Sequence, residues 1–392
     1  MHNRLTSLAN SATPLLIILA VFCINLPIAF GSVSLVLLLI CWLFSGDYQS
    51  KFKLIKANPG ALIALGLLAL YGLGVLYSSA PLGEAFHYFL KYSKLLLIPM
   101  LVSVLTSEQH RKYAINAFLI SLIGYLAVSY LNWFGLFSLG FMRHGTYMAI
   151  GLYLMLGNAR RFTGQYRLAW ITLAVLTAFN ILVIADVRTG VITLFSLLAL
   201  FSYETWGKKT LFYCLGLLIL AFALIQTVPS FKHLNPRLTH LHQEVTSHRA
   251  NDPAHQTSAG QRLDMYRNTL KLIQNHLILG GGTGSLKGEY AELIKGSDVV
   301  VVRVTNPHNQ YLSTTQDLGL AGLAVLLAFF LIHWRQAYQL SSEEYGSAFR
   351  GLILAMVLGS LVNSLLLDGG DGRMYCLLAG VFLSRYHAVK RE

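Results

Sequence analysis

The stretch NQYLSTTQDLGLAGLAVLLAFFLIH (residues 309–333) begins with polar side chains and continues as an apolar run. A helix needs about 20 mostly apolar residues to cross the hydrocarbon layer of a membrane. This run is long enough, so it predicts a membrane-spanning helix. Its polar beginning overlaps TNPHNQYL (305–312), which places a histidine at the mouth of that helix and makes this end a candidate site.

The composition extends the membrane prediction to the whole chain. Of the 392 residues, 55% are hydrophobic and 12% are charged, whereas soluble domains carry about 25% charged residues. The net charge of +13 could suggest nucleic acid, but the basic residues lie mostly in short connectors between apolar runs. That distribution is typical of orientation in a membrane, so no nucleic-acid partner is expected.

Apolar runs of near-spanning length recur along the sequence. They occupy residues 14–30, 31–45, 59–78, 88–105, 114–137, 141–157, 168–186, 189–203, 210–228, 309–333, 349–367 and 373–387. The sequence therefore predicts an all-α integral membrane protein with about twelve transmembrane helices.

Basic residues fall in every second connector between these runs. The basic connectors carry Lys51, Lys53, Lys56, Arg111, Lys112, Arg160, Arg161, Arg167, Lys208 and Lys209. Because cytoplasmic loops are rich in Lys and Arg, both termini are predicted to be cytoplasmic. The chain then divides into helices 1–9 (residues 1–228), a long non-cytoplasmic insert (229–307) and helices 10–12 (308–392).

Within the insert, QRLDMYRNTLKLIQNHLIL (261–279) predicts an amphipathic helix. Its apolar stripe, which could pack on the membrane surface or on other helices, comprises Leu263, Tyr266, Leu270, Ile273 and Leu277. Arg262 lies at the edge of the stripe and could face a site between insert and membrane, or it could be solvated. Arg267 is better explained as a surface residue paired with Asp264.

Three other polar segments invite a ligand, and none fits well. GGGTGS (280–285) lacks the G-x-x-x-x-G-K-[ST] pattern of a phosphate loop, so it predicts a flexible turn that ends the helix. The histidines at 233, 240, 242, 248 and 255 lack metal-ligand spacing, and DGGDGR (368–373) is typical of a tight turn. No metal site is expected.

ADVRTG (185–190) places Arg188 where two apolar runs meet. An arginine at a membrane is costly unless it has a partner or a function. It could pair with Asp186, or it could hold an anionic headgroup, because a guanidinium grips phosphate oxygens with two parallel hydrogen bonds.

His308 lies just before, or in the first turn of, the helix predicted over 309–333. A lone histidine at a membrane boundary is usually a structural residue. With Arg188 and Arg262 predicted on the same side of the membrane, however, His308 completes a set of three side chains that one kind of reaction needs. A neutral imidazole can take a proton from a hydroxyl nucleophile, and two guanidiniums can stabilise a diphosphate leaving group.

Four features together resemble a known family, that of bacterial O-antigen ligases, with O-antigen polymerases and protein O-oligosaccharyltransferases as relatives. HNQYLSTTQDLGLAGL (308–323) is similar to the H-N-x-Y-L element of that family, with a carboxylate and a glycine further on. ADVRTG is similar to its Arg-Thr/Ser-Gly element. SAGQRLDMYRNTLKLIQNHLILGGGTGS (258–285) resembles its insert, and the long insert between late membrane helices is the fourth feature.

The resemblance implies a glycosyltransferase-C-like membrane enzyme that needs no cofactor or metal. Its donor would be O-antigen linked to undecaprenyl diphosphate, and its acceptor the lipid A-core at the periplasmic face of the inner membrane. By the same resemblance, His308 would be the catalytic base, and Arg188 and Arg262 would bind the diphosphate. The residues with possible secondary roles are Asn309, Tyr311, Asp317 and Arg267, and Asp317 replaces the glutamate usual in the family.

Three other functions compete with ligation. An O-antigen polymerase would use the same donor but a sugar acceptor on a second polyprenyl lipid. Protein O-oligosaccharyltransferases tend to carry a larger C-terminal periplasmic part than follows the last predicted helix here. A lipid-linked glycan transporter would be expected to show broken helices near mid-membrane and paired repeats, which are not evident in the sequence.

Overall fold

The computed structural model describes residues 2–136, 145–185, 187–210, 258–295, 304–340 and 343–386. Every regular element in these ranges is helical. The α-helices are α1 (His2–Phe22), α2 (Ile28–Phe44), α3 (Tyr48–Lys56), α4 (Pro59–Leu76), α5 (Leu82–Leu90), α6 (Leu97–Val104), α7 (Glu108–Trp133), α8 (Gly145–Arg161), α9 (Gly164–Phe179), α10 (Arg188–Trp206), α11 (Ser258–Asn275), α12 (Leu286–Leu293), α13 (Gln310–Gln339), α14 (Glu343–Gly359) and α15 (Gly369–Leu383).

Five segments of the described residues are long and apolar enough to cross a membrane. They are Thr6–Asn25, Pro59–Leu76, Glu108–Trp133, Gly164–Ile184 and Gln310–Gln339. The bent pair α2 and α3, with 112° between the two helices, makes a sixth if it counts as one broken span. The described residues are thus all-α, and these helices indicate a multi-pass membrane protein, while most of the predicted run 210–228 lies outside the described residues.

The prediction of one continuous helix over 88–105 is wrong. The structure has α5, a 3-10 turn (Ser93–Leu96) and then α6. Lys94 lies in the break, and its ammonium donates a hydrogen bond to the carbonyl oxygen of Leu367, 3.0 Å away. A buried ammonium needs acceptors, and the broken helix lets Lys94 reach carbonyls at the start of α15.

The prediction of a helix over 349–367 is also wrong at its C-terminal end. α14 ends at Gly359, and the chain then turns until Asp368, which caps α15. The Asp368 carboxylate accepts hydrogen bonds from the backbone N–H groups of Gly370 (2.7 Å) and Asp371 (3.2 Å). DGGDGR is therefore the capped first turn of a helix, because a carboxylate satisfies the free N–H groups that a helix start exposes.

The core lies where α4, α6, α13, α14 and α15 pack together. Its largest fully buried side chains are aromatic. The Tyr71 and Tyr92 rings stack with 3.6 Å between centroids, and the Phe329 ring meets the Tyr375 ring at 5.7 Å. The buried ring of His333 bonds the Tyr375 hydroxyl at 2.6 Å and the Gly60 carbonyl oxygen at 3.2 Å, so both of its nitrogens have partners.

The insert helix predicted over 261–279 is present as α11, but its leucine stripe faces outward. Leu263, Leu270 and Leu277 are 40%, 50% and 49% exposed. The buried face instead contains Met265, Asn268, Thr269 and Leu272, at the spacing of one helical face. These three leucines are thus exposed with respect to the described residues, and their packing on the membrane surface stays a prediction.

The glycine turn after α11 is buried against a kink in α13. Gly319 has φ 65° and ψ −163°, values that break the helix there. A Cβ on Gly319 would lie 2.1 Å from the carbonyl oxygen of Ile278, and a Cβ on Gly280 would lie 2.5 Å from the carbonyl carbon of Asp317. Two backbones approach so closely here that only glycine fits, and this contact fixes the insert on the body of the protein.

Candidate functional site

The backbone of His308 is held in the left-handed region, with φ 52°. The Asn306 side-chain oxygen accepts the His308 backbone N–H at 2.8 Å, which forms an Asx turn across Pro307. The Tyr266 hydroxyl of α11 donates to the His308 carbonyl oxygen at 3.0 Å. Strained backbone of this kind is often found at functional sites, and here the insert and the Asx turn hold it in place.

The His308 ring is oriented by Asn363, in the loop between α14 and α15. Nδ1 of His308 lies 3.2 Å from Oδ1 of Asn363. That same oxygen accepts the Ser364 backbone N–H at 3.0 Å, which identifies it as the carbonyl end of the amide. Nδ1 therefore faces an acceptor and carries the proton of the neutral ring, so Nε2 carries the lone pair.

Two of the predicted secondary residues connect helices. Asn309 caps α13 by accepting the Leu312 N–H at 3.0 Å, and it donates to the Leu361 carbonyl oxygen at 2.9 Å. The Tyr311 hydroxyl donates to the Val357 carbonyl oxygen at 2.8 Å. Both side chains bind the start of α13 to the α14 region and so position His308.

Asp317 is buried beside the glycine turn. Its Oδ1 accepts the Gly284 N–H at 3.0 Å, and the side chain is only 1% exposed. At 1.5 Å rise per residue it lies about 10 Å along α13 from Gln310, the first residue of the helix, so its contacts fix the turn rather than the imidazole.

The glycine turn has no backbone donor left for a phosphate. The N–H groups of residues 280–285 bond, in order, the carbonyl oxygens of His276, Gln316, Asp317 and Gly74, the Asp317 carboxylate and the carbonyl oxygen of Gly282. GGGTGS is thus a buried structural turn, which agrees with its rejection as a phosphate loop and corrects its description as flexible.

Arg262 lies in the neighbourhood of His308. It is half-buried on α11, one turn before Tyr266, whose hydroxyl bonds the His308 carbonyl. Burial raises the pKa of the Tyr266 hydroxyl, while the nearby Arg262 charge and the hydrogen bond with Asn309 act to lower it. Arg267 is exposed, and its suggested pairing with Asp264 stays a prediction.

A cavity of about 410 Å³ opens beside Asn363. We call it the catalytic-side cavity. Its walls come from the α1–α2 corner, the start of α8, the start of α10 and the first turn of α15. Val187 and Thr189 line it on either side of Arg188, the first residue of α10, whose side chain lies outside what the structure describes. The suggested partner Asp186 also lies outside the described residues.

The sequence analysis missed the polar groups that α15 brings to this cavity. Asp368, Asp371 and Arg373 line it, and the Arg373 guanidinium donates to the Ser32 hydroxyl at 3.1 Å. Burial and then the Asp368 charge raise the pKa of Asp371 to about 7, while Lys94 acts in the opposite direction. The sequence signal for these residues is the cluster of polar side chains in NSLLLDGGDGR (363–373). The predicted spanning helix over 349–367 and the predicted turn over 368–373 divide this cluster.

Among the described residues, no group of three His, Cys, Asp or Glu side chains could hold a metal ion. The histidines at 233, 240, 242, 248 and 255 lie outside those residues. The expected absence of a metal therefore stays a prediction.

Residues 172–327 match the model of a family described as O-antigen ligase. This match supports O-antigen ligase-type family membership. The matched range contains Arg188, Arg262 and His308, and it confirms the resemblance seen in the sequence motifs. No curated protein matches the chain.

Proposed function

We propose that the protein is an O-antigen ligase of the inner membrane. It would transfer glycan from undecaprenyl diphosphate to a sugar hydroxyl of the lipid A-core at the periplasmic face. The observation that carries the proposal is the geometry of His308: Asn363, which lines the catalytic-side cavity, holds Nδ1 and leaves the lone pair of Nε2 for a base. Family membership supports the substrate class.

In the proposed reaction, Nε2 of His308 takes the proton of the acceptor hydroxyl as its oxygen attacks the anomeric carbon of the donor glycan. The bond between that carbon and the diphosphate oxygen breaks, and the diphosphate leaves with the electron pair. A single displacement inverts the configuration at the anomeric carbon. Arg188 and Arg262 bind the diphosphate and stabilise the charge that develops on it.

The start of α10 supports an anion-binding role for this region. Arg188 opens a helix of 19 residues, and its neighbours Val187 and Thr189 line the catalytic-side cavity. Free N–H groups and the helix dipole favour negative charge at such an end. A diphosphate bound there would meet the backbone donors of this helix start.

The proposed reaction needs neither ATP nor a metal, because the donor carries its own leaving group. Purified protein should therefore transfer glycan from lipid-linked donor to lipid A-core in EDTA and without nucleotide. Transfer that stops in EDTA and returns with a divalent cation would contradict this mechanism. The histidines of the insert and the pair Asp368 and Asp371 would then be the candidate ligands.

The lipopolysaccharide profile of a deletion strain separates ligation from polymerisation. Loss of a ligase should leave core without long chains while undecaprenyl-linked polymer accumulates. Core that carries a single repeat unit would instead identify an O-antigen polymerase.

We further propose that residues 229–307 form a periplasmic insert between the predicted transmembrane helices 1–9 (1–228) and 10–12 (308–392).

A further inference from the structure

A second and larger cavity lies at the other end of α8. It has a volume of about 650 Å³, and we call it the basic cavity. Gly145, Thr146 and Tyr147, at the start of α8, line the catalytic-side cavity, whereas residues of its second half, from Tyr153 to Arg161, contribute to the basic cavity. At 1.5 Å per residue Tyr147 and Tyr153 are about 9 Å apart along α8, and no residue lines both cavities, so they are separate sites.

The walls of the basic cavity are apolar and come largely from membrane-spanning segments. Leu119, Ile120 and Ile123 belong to α7, and Trp170 belongs to α9, and both helices lie in candidate spans. Ile120 is 61% exposed, so this wall continues onto the surface that would face lipid. A soluble anion would gain nothing from such walls, whereas an acyl chain would bury apolar surface against them.

The mouth of the basic cavity is positively charged. Lys112, Arg160 and Arg161 line it together with one carboxylate, that of Glu344. Arg161 forms an ion pair with Glu344 and a hydrogen bond with the Asn158 side chain. The Arg160 guanidinium lies over the Phe201 ring, 5.8 Å from its centroid. Among the described residues that line the cavity, three are cationic and one is a carboxylate, so basic residues predominate at the mouth.

We infer that the basic cavity binds an anionic glycerophospholipid. The headgroup phosphate would lie against Lys112 and Arg160, and one acyl chain would lie between α7 and α9. Basic pockets between transmembrane helices on the cytoplasmic side bind anionic headgroups, and the connectors that supply these residues are the ones predicted to be cytoplasmic. A volume of about 650 Å³ is within the range of about 300–1,000 Å³ that is usual for ligand sites.

The inference is tested by native mass spectrometry of the full chain titrated with phosphatidylglycerol and, separately, with phosphatidylcholine. The wild type should retain phosphatidylglycerol in preference. Each basic residue near an anionic headgroup contributes roughly fivefold in affinity, so Lys112→Ala with Arg160→Ala should weaken that retention about 30-fold. Arg167→Ala is the matched control, because Arg167 is exposed in the same connector but does not line the cavity.

Gly157→Leu tests the apolar part without altering charge. A Cβ at Gly157 would have no neighbouring heavy atom within 4 Å, and leucine is a better helix former than glycine, so the fold should persist. The added side chain should occupy the acyl space and reduce retention of phosphatidylglycerol. Size-exclusion chromatography would show whether the double variant Lys112→Ala with Arg160→Ala folds. If it does not, the effect of Gly157→Leu on phosphatidylglycerol retention decides the inference.

Three results would overturn the inference. The first is equal retention of phosphatidylglycerol and phosphatidylcholine by the wild type. The second is equal behaviour of the double variant and Arg167→Ala. The third is binding of glycerol phosphate as tightly as phosphatidylglycerol with no effect of Gly157→Leu, which would indicate a simple anion site. None of these readouts depends on glycan transfer, so they are independent of the proposed function.

Discussion

At the scale of single residues, substitution of His308 distinguishes a catalytic role of its imidazole from a structural one. Its backbone has φ 52°, a conformation that asparagine tolerates best among non-glycine residues. His308→Asn should therefore keep the fold and the contacts of its carbonyl with Tyr266. If the imidazole is the base, transfer should fall by about 10² to 10⁴, and donor binding should survive.

The measurement is turnover of purified His308→Asn with lipid-linked donor and lipid A-core, alongside donor binding and thermal stability. His308→Gln is the companion variant. It also introduces a side-chain amide, but glutamine favours the left-handed conformation less than asparagine does. Near wild-type turnover in either would remove His308 from the chemistry and leave it as a structural residue.

Asn363 gives a second prediction at this scale, because it is proposed to orient His308 rather than to react. Asn363→Ala should leave the ring unheld and slow transfer by up to about 10²-fold. Asn363→Asp should act differently. A carboxylate beside the imidazole favours its protonated form, so the acidic limb of the pH–rate profile should move to higher pH.

A structural role for Asn363 would lower stability in both variants without moving that limb. An unchanged pH profile in folded Asn363→Asp would thus contradict the assignment of Asn363 as the orienting residue.

The sequence could predict His308 but not Asn363. His308 carries a recognisable motif and stands beside a proline, whereas Asn363 lies 55 positions away in a run that hydropathy assigns to a spanning helix. Only the end of α14 at Gly359 turns that run into a loop that faces the imidazole. Hydropathy records the average polarity of a segment and so misses a single amide that points into a site.

At the scale of elements, the docking of the glycine turn on the α13 kink fixes the insert. Gly319→Ala would put a side chain at φ 65° and 2.1 Å from the Ile278 carbonyl oxygen. Strain of this kind costs about 1–3 kcal/mol, and the clash adds to it. The thermal midpoint of the purified variant should fall clearly, and transfer should decline as Arg262 and Tyr266 lose their positions.

Gly288→Ala is the control for that substitution. Gly288 is exposed in α12, and a Cβ there meets no heavy atom within 4 Å. Alanine favours a helix over glycine by about 1 kcal/mol, so this variant should be unchanged or slightly more stable. Equal midpoints for the two variants would show that the kink and the turn do not hold the insert.

The two arginines of α11 provide a matched pair. Arg262 is half-buried near Tyr266, while Arg267 is exposed on another face. Arg262→Lys keeps the charge but loses the planar fork, so donor affinity should drop sharply, and Arg262→Ala should be at least as severe. Arg267→Ala should be mild. Equal and severe loss at Arg267 in folded protein would mean that the other face of α11 meets the donor.

The face of α11 shows what periodicity alone leaves open. Leu263, Leu270 and Leu277 align on one side, and the pattern allows that side to pack on the membrane surface or on other helices. In the structure Asn268 and Thr269 are buried instead, and Asn268 donates to the Tyr290 hydroxyl at 3.1 Å. In a membrane protein an apolar stripe can face lipid or headgroups, so the usual rule for soluble helices does not choose the buried face.

At the scale of the whole molecule, α8, α10 and α14 connect the two cavities. The start of α8 and the start of α10 line the catalytic-side cavity, and Phe201 near the end of α10 lies beneath Arg160 of the basic cavity. α14 begins at the basic cavity with Glu344 and ends shortly before Asn363. The basic connectors of the sequence predict that the end of α8 with Arg160 and Arg161 is cytoplasmic, which stays a prediction, whereas hydropathy could not predict which helices are continuous.

This arrangement predicts that the insert and the basic connectors are on opposite sides of the membrane. Gln274 in α11 and Gln165 near the start of α9 are both exposed, so each can be replaced by cysteine with little effect on packing. The four native cysteines would first be replaced by alanine. In cells whose outer membrane is permeabilised, a membrane-impermeant maleimide should label Gln274→Cys at once and Gln165→Cys only after lysis of the inner membrane. The reason is that α8, α10 and α14 each run from one cavity to the other, and their basic ends should be cytoplasmic.

Labelling of both cysteines before lysis would place the two cavities on one side and refute the orientation. Labelling of Gln165→Cys alone would invert it, and His308 would then face the cytoplasm, where the proposed acceptor is not presented.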